Sequence, residues 1–414
     1  MNSPRGRFLR LAPILTLAAT AFAQAPGKID ISKMNPAGLL VDKYSYNVQP
    51  YNFYYFHHMD ELGFRMDVVS KGDHVYPLKD PTGRFSIAYK FEGKDYTLEN
   101  YLQREYATAF LVLHDNQVVF EKYLYGSDRD SRFVSQSVAK SILSILVGAA
   151  IDEGKIASVD DPIVKYLPYL SGSGYRDVTI KQALEMSTSV DYSEDYRDSK
   201  SGAALIGAAL LTGKPSFEEF AASIGPTAKK PGTKFEYQSV NSQVLGLLLE
   251  QVTGKPLNRW AGDKLWKKLG AQRDAFFYES KNQKNTCAFA CFNATVRDYG
   301  RIGLMMMSKG ALGGTRVVSE SWAHDSTTPG APYLMPKPTR PGGVPTHGYA
   351  YQWWVPYGGD GAFMAEGIFC QMIYVNPTRH VVIVQTSAWP EPVSNPLAAE
   401  SDIVYDAIAR KLSP

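Results

Sequence analysis

Residues 135–147 read Ser-Gln-Ser-Val-Ala-Lys-Ser-Ile-Leu-Ser-Ile-Leu-Val, and this segment organises the rest of the chain. It predicts a buried helix that begins near Ser137, because almost every later position is aliphatic or small. Residues three apart share a helix face, so the hydroxyl of Ser137 and the amine of Lys140 are expected to meet. Ser141 and Ser144 extend the same face. A lysine amine that is removed from water loses its proton more easily and can then act as the base for a hydroxyl nucleophile.

Two further segments add to this pattern, which matters because a Ser-x-x-Lys spacing by itself also arises by chance. The first is Tyr237-Gln238-Ser239, in a loop that enters a predicted helix; a tyrosine beside a lysine can pass a proton to a leaving group. The second is Gly367–Gln371, just before a predicted strand. Backbone N–H groups at such an edge, those of Ile368 or Phe369, could stabilise an oxyanion together with the N–H of Ser137.

The composition indicates an ordinary globular protein of 414 residues, 44% hydrophobic and 21% charged. Its formal charge of +3 comes from Arg5, Arg7 and Arg10, the only charged residues before residue 24. The remaining basic and acidic residues balance, which gives no indication of nucleic acid or an anionic membrane as a partner.

The first 23 residues have the pattern of a secretory signal. A basic start precedes the apolar stretch Leu11–Ala19 and an Ala-x-Ala site at Ala21–Ala23. The apolar stretch is much shorter than the roughly 20 residues that span a membrane. We therefore expect cleavage after Ala23, export to a periplasm or beyond, and no stable membrane insertion of the mature chain.

Three cysteines do not make a disulfide framework. Cys287 and Cys291 could pair in a tight loop, or they could fill apolar space as small side chains at helical spacing. Cys370 stands alone. Because no Cys/His cluster has zinc spacing, neither a metal nor an organic cofactor is predicted.

The distribution of strand and helix signals predicts a mixed α/β (α+β) fold in which an all-α unit interrupts a sheet. Two β-rich runs flank an Asp-Asn-Gln turn within residues 109–120 and predict a hairpin, and strand signals return only after about residue 345. Residues 24–100 are rich in aromatic residues, Pro and Gly, and are expected to form an extension packed on a catalytic domain at 101–414. The predicted all-α subdomain covers about 155–290. Individual elements are predicted at 137–154, 178–186, 241–252, 371–375, 380–386 and 398–412.

In this order, the three segments resemble those of the serine β-lactamase/penicillin-recognising superfamily. The connecting segments Asp161–Pro168 and Met186–Ser189 agree with that resemblance, which covers roughly residues 100–414. The resemblance implies an antiparallel sheet flanked by helices with an inserted all-α subdomain. It also implies a hydrolase that acts on a small-molecule amide or ester through an acyl-enzyme.

Within the superfamily, the chain is most similar to the branch of 6-aminohexanoate-dimer hydrolases and class C-like esterases. The resemblance makes Ser137 the nucleophile, Lys140 its base and Tyr237 the proton shuttle. It places the backbone N–H groups of Ser137 and Ile368 in the oxyanion hole. The substrate-binding residues that it implies are Tyr196, Ser239, Asn293 and Gly367.

The chain departs from the superfamily pattern in ways that bear on the substrate. It has no Lys-Ser/Thr-Gly segment, whose cation helps penicillin-binding proteins to hold a substrate carboxylate. Ser239 replaces the lactamase asparagine, while Cys370 and Ser189 stand where glycine is common. Two alternatives therefore stay open: a D-Ala-D-Ala carboxypeptidase or class C-like β-lactamase, and a catalytically silent binding protein with the same fold. The sequence does not indicate an oligomeric state.

Overall fold

The computed structural model of the protein describes residues 45–81, 83–338 and 346–413. The predicted signal peptide, residues 1–23, lies outside the described residues, as do residues 24–44 of the predicted extension.

A seven-stranded antiparallel sheet forms the centre of the molecule, in the order β11-β12-β13-β14-β15-β4-β5. The hairpin predicted at 109–120 is confirmed as β4 and β5, and β14 and β15 match the two strands predicted near the C-terminus. β15 pairs with β4, so strands from opposite ends of the chain lie side by side. The strands are β1 Arg65–Val69, β2 Ala88–Phe91, β3 Lys94–Thr97, β4 Ala107–His114, β5 Gln117–Tyr123, β6 Phe133–Val134, β7 Ala275–Glu279, β8 Phe292–Ala294, β9 Ala311–Leu312, β10 Thr315–Arg316, β11 Gly348–Tyr349, β12 Trp354–Val355, β13 Phe363–Gly367, β14 Gln371–Asn376 and β15 Val381–Ser387.

The predicted helices are present, with small shifts at their ends. The helix predicted to end near Gly154 ends at Asp152, and the one predicted at 241–252 begins two residues earlier and ends before the left-handed Gly254. The helices are α1 Asn52–Tyr55, α2 Leu98–Arg104, α3 Val138–Asp152, α4 Ile180–Leu184, α5 Gly202–Thr212, α6 Phe217–Ser223, α7 Ser239–Thr253, α8 Leu257–Ala261, α9 Lys267–Leu269, α10 Val296–Met307, α11 Glu320–Thr327 and α12 Asn395–Leu412. A π-helical turn, Gly262–Trp266, joins α8 to α9, and 3₁₀ turns lie at Met59–Leu62, Ile163–Lys165, Pro168–Gly172 and Pro332–Leu334.

A second, four-stranded sheet has the order β1-β7-β8-β6. Its strand β7 lies inside the range of about 155–290 that the sequence predicted to be all-α. The helical region therefore ends at Leu269, before that sheet begins. The strand that pairs with β7 is β1, which lies within residues 24–100. The sequence of that segment shows no hydrophobic periodicity that would predict pairing with a strand so far along the chain.

The central sheet separates two apolar cores, and the alternation of β4 shows how. Leu111 and Leu113 face the larger core, whereas Phe110 and Val112 face the smaller one. Successive side chains of a strand point to opposite faces, so a strand covered on both sides is apolar throughout. Helix α3 packs in the larger core and α12 in the smaller one. Ser137, which directly precedes α3, therefore lies between the central sheet and the helical region.

None of the helices in the described part of the chain is both long enough and apolar enough to cross a membrane.

We expect Gly148→Ala to lower the free energy of unfolding by about 1–3 kcal/mol, because an added methyl would overpack the core. A Cβ at Gly148 on α3 would lie 2.4 Å from the Trp322 indole of α11, whose Nε1 donates a hydrogen bond to the Ser144 carbonyl. The matched control is Gly207→Ala on α5, where a Cβ meets open space. That change should instead stabilise by about 0.5–1 kcal/mol, since alanine loses less backbone entropy in a helix. Urea unfolding of both variants measures the difference, and a shift of the same sign in both would contradict the packing argument.

Candidate active site

Ser137 occupies the N-cap position of α3, and Lys140 follows in the first turn of the helix. The Lys140 Nζ lies 2.7 Å from the Ser137 Oγ, so the structure brings together the two groups that the sequence pairs. Gln136, directly before the serine, has φ of 44°. Non-glycine residues adopt this left-handed conformation at a cost, and here it allows the chain to turn sharply from β6 into α3.

The Lys140 amine is almost completely removed from solvent, with 1% of the residue exposed. Its Nζ also lies 2.8 Å from the carbonyl oxygen of Phe289 and 5.2 Å from the centre of the Tyr237 ring. Burial lowers the pKa of Lys140 to about 7, although the Glu194 carboxylate acts in the opposite direction. Near neutral pH a large fraction of the amine is therefore unprotonated and can accept a proton.

Tyr237 lies beside these two groups in an aromatic setting. Its ring stacks on Trp354 at 5.5 Å between centroids and meets the edge of Tyr349 at 6.2 Å. Burial raises the pKa of Tyr237 well above its usual value, the Glu194 carboxylate adds to the rise, and the adjacent Ser137 hydroxyl opposes it. The phenol therefore keeps its proton at neutral pH and is available as a donor.

The end of β13 closes the site from the opposite side. A Cβ at Gly367 would lie 2.7 Å from the Ser135 carbonyl oxygen and 2.9 Å from the Ser137 nitrogen, so only glycine lets the strand approach the nucleophile so closely. Phe369 donates its N–H to the Pro392 carbonyl, which removes it as an oxyanion donor. Within the described part of the chain, the N–H groups of Ser137 and Ile368 have no hydrogen-bond acceptor.

A cavity of about 280 Å³ opens in front of Ser137. Its wall is mostly apolar and includes Trp354, Ile368, Met372, Trp389 and Val393, while Tyr196 and Gly367 also line it, as the sequence comparison implied. Cys370, which stands where the family resemblance implies a glycine, is another wall residue and has φ of 61°, a value that favours glycine. A mostly apolar cavity with a few polar groups is typical of a small-molecule site.

Two of the implied substrate-binding residues, Ser239 and Asn293, are not among the residues that line this cavity. Asn293 lies on β8, is fully buried, and donates from Nδ2 to the carbonyl of Cys291. Ser239 instead donates from Oγ to Glu194 Oε1 at 2.6 Å. Both residues therefore act within the protein in this structure and do not contact the open space.

Glu194 is a charged site residue that the sequence analysis did not single out, and His347 is another. Its carboxylate accepts hydrogen bonds from the Ser239 hydroxyl and N–H and from the Tyr196 hydroxyl, at 2.6–2.8 Å. It also lines the cavity, and its charge reaches Lys140 and Tyr237. The signal available in the sequence was an acidic side chain two residues before Tyr196, a residue that the family resemblance already implied to bind substrate.

A second charged group forms the far wall of the cavity. The His347 ring makes contacts of 2.8 Å to Glu366 and 3.1 Å to Asp402. Burial alone would lower the pKa of His347, but the two carboxylates outweigh it and raise the pKa to about 10, so the imidazole is a cation at neutral pH. Among the described residues, no group of three or more His, Cys, Asp or Glu side chains is arranged to hold a metal ion.

The two cysteines that the sequence left open form a disulfide. Cys287 and Cys291 are bonded, with Cα atoms 5.7 Å apart, and the loop between them includes Phe289, whose carbonyl contacts Lys140. Cys370 is the free cysteine of the described chain and is buried.

The antiparallel sheet with an inserted helical region, and a serine at the N-terminus of a buried helix, are features of a class of serine hydrolases. The family model named Beta-lactamase matches residues 97–405, and the chain belongs to that family of serine hydrolases. It is 32% identical over 352 residues to the 6-aminohexanoate-dimer hydrolase of Paenarthrobacter ureafaciens, covering 84% of this chain and 88% of that relative. The enzymatic class expected from the sequence is thereby confirmed.

Solved structures confirm the fold. The structure named "Putative 6-aminohexanoate-dimer hydrolase from Bacillus anthracis" matches with a TM-score of 0.78 at 23% identity, covering 89% of this chain and 96% of that one. A family VIII carboxylesterase matches with a TM-score of 0.54 at 17% identity, covering 72% of this chain and 91% of the other.

We expect Glu194→Gln to move the acid limb of the pH profile of kcat/KM to lower pH. The carboxylate favours the ammonium form of Lys140, so its removal lowers the pKa of that amine further. We also expect kcat/KM to fall about 3- to 30-fold, because hydrogen bonds to a charged acceptor are stronger than those to an amide. Hydrolysis of a p-nitrophenyl ester between pH 5 and 9 measures both effects. The control is Glu218→Gln on the exposed face of α6, which should leave the acid limb in place. An acid limb that stays in place or moves to higher pH in Glu194→Gln would contradict the claim that the Glu194 carboxylate favours the ammonium form of Lys140.

Proposed function

We propose that the protein hydrolyses linear amide or ester bonds through an acyl-enzyme formed on Ser137. The observation that carries this proposal is the buried Lys140 amine, 2.7 Å from the Ser137 Oγ and with a pKa of about 7. A hydroxyl is a weak nucleophile at neutral pH, and a base in contact with it can activate it by removing its proton as the new bond forms.

The contacts of Lys140 define how the first proton moves. In the neutral amine, one N–H donates to the carbonyl of Phe289, and the lone pair is then free for the Ser137 hydroxyl proton. Attack of Oγ on the substrate carbonyl carbon produces a tetrahedral oxyanion. The N–H groups of Ser137 and Ile368 are suited to stabilise it, because both lie at the mouth of the cavity without another acceptor in the described chain.

Tyr237 supports the second half of the reaction. Its phenol is protonated and lies next to both Ser137 and Lys140, so it can donate a proton to the departing amine or alkoxide and regain one from Lys140. The carbon–leaving-group bond then breaks and leaves the acyl ester on Ser137. Water, deprotonated by the same base, attacks this ester and releases the acid.

The acidic side chains in the wall of the cavity favour linear amides and esters over substrates that carry a carboxylate close to the scissile bond. Glu194, Glu366 and Asp402 line the cavity, and His347 is committed to the last two of them. A substrate carboxylate would therefore meet repulsion, whereas β-lactams and D-Ala-D-Ala peptides both carry one. The relative from Paenarthrobacter is named for a dimer in which an amide joins two 6-aminohexanoate units, and an aliphatic chain separates that amide from the free carboxylate. The name therefore supports amide substrates whose carboxylate is remote from the scissile bond. Tyr196 lines the same cavity, which supports the role that the family resemblance implies for it, covering the scissile bond.

We also propose that the mature protein is exported. The pattern of residues 1–23 supports this, and so does the Cys287–Cys291 disulfide, because disulfides persist mainly in oxidising compartments.

We expect intact-mass spectrometry to detect one acyl adduct per protein during turnover of a p-nitrophenyl ester. Peptide mass analysis should locate this adduct on the peptide that contains Ser137. The rate of its formation should rise with pH through about 7, since the ammonium form of Lys140 cannot accept a proton. Ser137→Ala should abolish the adduct and lower kcat/KM by at least about 10³-fold.

The matched control is Ser144→Ala on the same helix, which should retain activity because the buried Ser144 Oγ has no partner among the described residues. An adduct on another residue, or full turnover by Ser137→Ala, would falsify the proposal. Nitrocefin and a fluorescent penicillin, assayed in parallel, separate the alternatives. Turnover of nitrocefin faster than that of the esters or anilides would favour a β-lactamase, and no turnover of any substrate would favour a silent binding protein.

A further inference from the structure

Phe289, whose carbonyl contacts the catalytic lysine, is the middle residue of the loop that the disulfide closes. One residue separates it from each cysteine, Ala288 on the side of Cys287 and Ala290 on the side of Cys291. Both cysteines are fully buried, and so is the Lys140 amine that the carbonyl reaches at 2.8 Å. The phenyl ring of Phe289 also lies 5.8 Å from the same Nζ.

We propose that the Cys287–Cys291 disulfide is a positioning element for catalysis, which holds the Phe289 carbonyl so that the Lys140 lone pair points at Ser137. This inference rests on the function proposed above. The disulfide touches neither the substrate cavity nor the reacting atoms, and acts only through the loop that it closes.

The direction of the lone pair is the reason why the carbonyl matters. A neutral amine has two N–H bonds and one lone pair, and rotation about the terminal carbon–nitrogen bond can aim the lone pair anywhere on a cone. A fixed acceptor for one N–H restricts that rotation. With the Phe289 carbonyl occupied by an N–H, the lone pair can face the Ser137 Oγ at 2.7 Å.

Hydrogen bonds hold the start of the loop. The Gln243 side chain on α7 donates to the Thr286 carbonyl and accepts from the N–H of Ala288, and Glu279 accepts from the N–H of Cys287 at 2.8 Å. Arg65 in the N-terminal extension contacts that same glutamate. These contacts fix the chain up to residue 288 but not beyond it.

The end of the loop is held by strand pairing at Cys291, whose carbonyl accepts from the N–H of Tyr278. Between these two anchored ends lies the turn that contains Phe289 and Ala290. The Phe289 ring packs edge-on against Phe217 at 6.1 Å between centroids, and the Ala290 carbonyl accepts a long hydrogen bond of 3.4 Å from the Ser135 hydroxyl, but neither contact holds the Phe289 carbonyl itself. The covalent bond fixes the separation of the ends and thereby limits the conformations open to the turn. Without it, we expect the Phe289 carbonyl to move away and water to reach the amine.

The test is the double variant Cys287→Ala/Cys291→Ala, assayed for ester kcat/KM between pH 5 and 10. We expect a loss of about tenfold or more at pH 7, with the acid limb moved to higher pH because a hydrated amine regains its proton. A shift of the acid limb distinguishes a disulfide that positions the Phe289 carbonyl from one that only stabilises the fold, because a loss of stability alone does not change the pKa of Lys140. The control is Ile408→Val on α12, a truncation in the core on the other side of the central sheet, which should leave the limb in place.

A second measurement covers a double variant that fails to fold. The wild-type enzyme is incubated with a water-soluble phosphine at a urea concentration below its unfolding transition. The phosphine reduces the disulfide to two thiols, which gain two hydrogens from water, and the phosphine takes the oxygen of that water and becomes a phosphine oxide. Esterase activity should fall as the protein gains the mass of these two hydrogens, and it should return after reoxidation of the two thiols. If either the folded double variant or the reduced enzyme keeps the wild-type rate and acid limb while Ser137 still forms its acyl adduct, the inference is overturned and the proposed function stands. Loss of the adduct from the oxidised wild type would overturn both.

Discussion

The contact between Lys140 and Ser137 is possible as a catalytic pair only because the protein keeps water away from the amine. Helix α3 is buried for almost its whole length, and the helices on one side and the sheet on the other exclude solvent from its first turn. In water, an amine holds its proton with a pKa near 10.4, and a base in that state is of no use at neutral pH. Burial lowers the pKa of Lys140 to about 7, and the proposed chemistry follows from this single constraint.

Close approach of backbone segments around the nucleophile requires unfavourable backbone conformations. Gln136 before the serine, and Phe369 and Cys370 after the end of β13, all have positive φ. Each such residue costs roughly 1 kcal/mol or more, and the surrounding structure must compensate for it. Part of that support comes from the N-terminal extension. Phe56 packs against the Phe369 ring at 5.3 Å, and its carbonyl accepts a hydrogen bond from the N–H of Val134, just before the nucleophile segment.

The electrostatics of the site combine two opposing needs. Lys140 must be neutral to act as a base, yet the carboxylate of Glu194 favours its charged form. The same carboxylate holds Tyr196 and the start of α7, so its structural contribution has an electrostatic cost. The balance leaves the amine pKa at about 7, which is close to the best value for a base that must both accept and return a proton.

Local patterns were sufficient to predict the hairpin and the serine helix, because each depends on residues near one another in sequence. That the segments 237–239 and 367–371 lie beside Ser137 was implied by the family resemblance, since no local pattern connects residues so far apart in the chain. The pairing of β1 with β7 was missed, since strands that pair over two hundred residues apart leave no periodic trace in either segment. Glu194 and His347 were missed for a related reason, because their importance comes from which side chains the tertiary fold places beside them. Asn293 was implied by position in the chain, but its strand turns the amide into the protein.

The most direct test of this account is the titration of the lysine amines by NMR, with ¹³C at the ε carbons. We expect one lysine resonance to titrate near pH 7 in the folded protein and to be absent from the spectrum of Lys140→Arg. If every lysine resonance of the folded enzyme titrates above about pH 9, the amine beside Ser137 is an ordinary ammonium and cannot be the base.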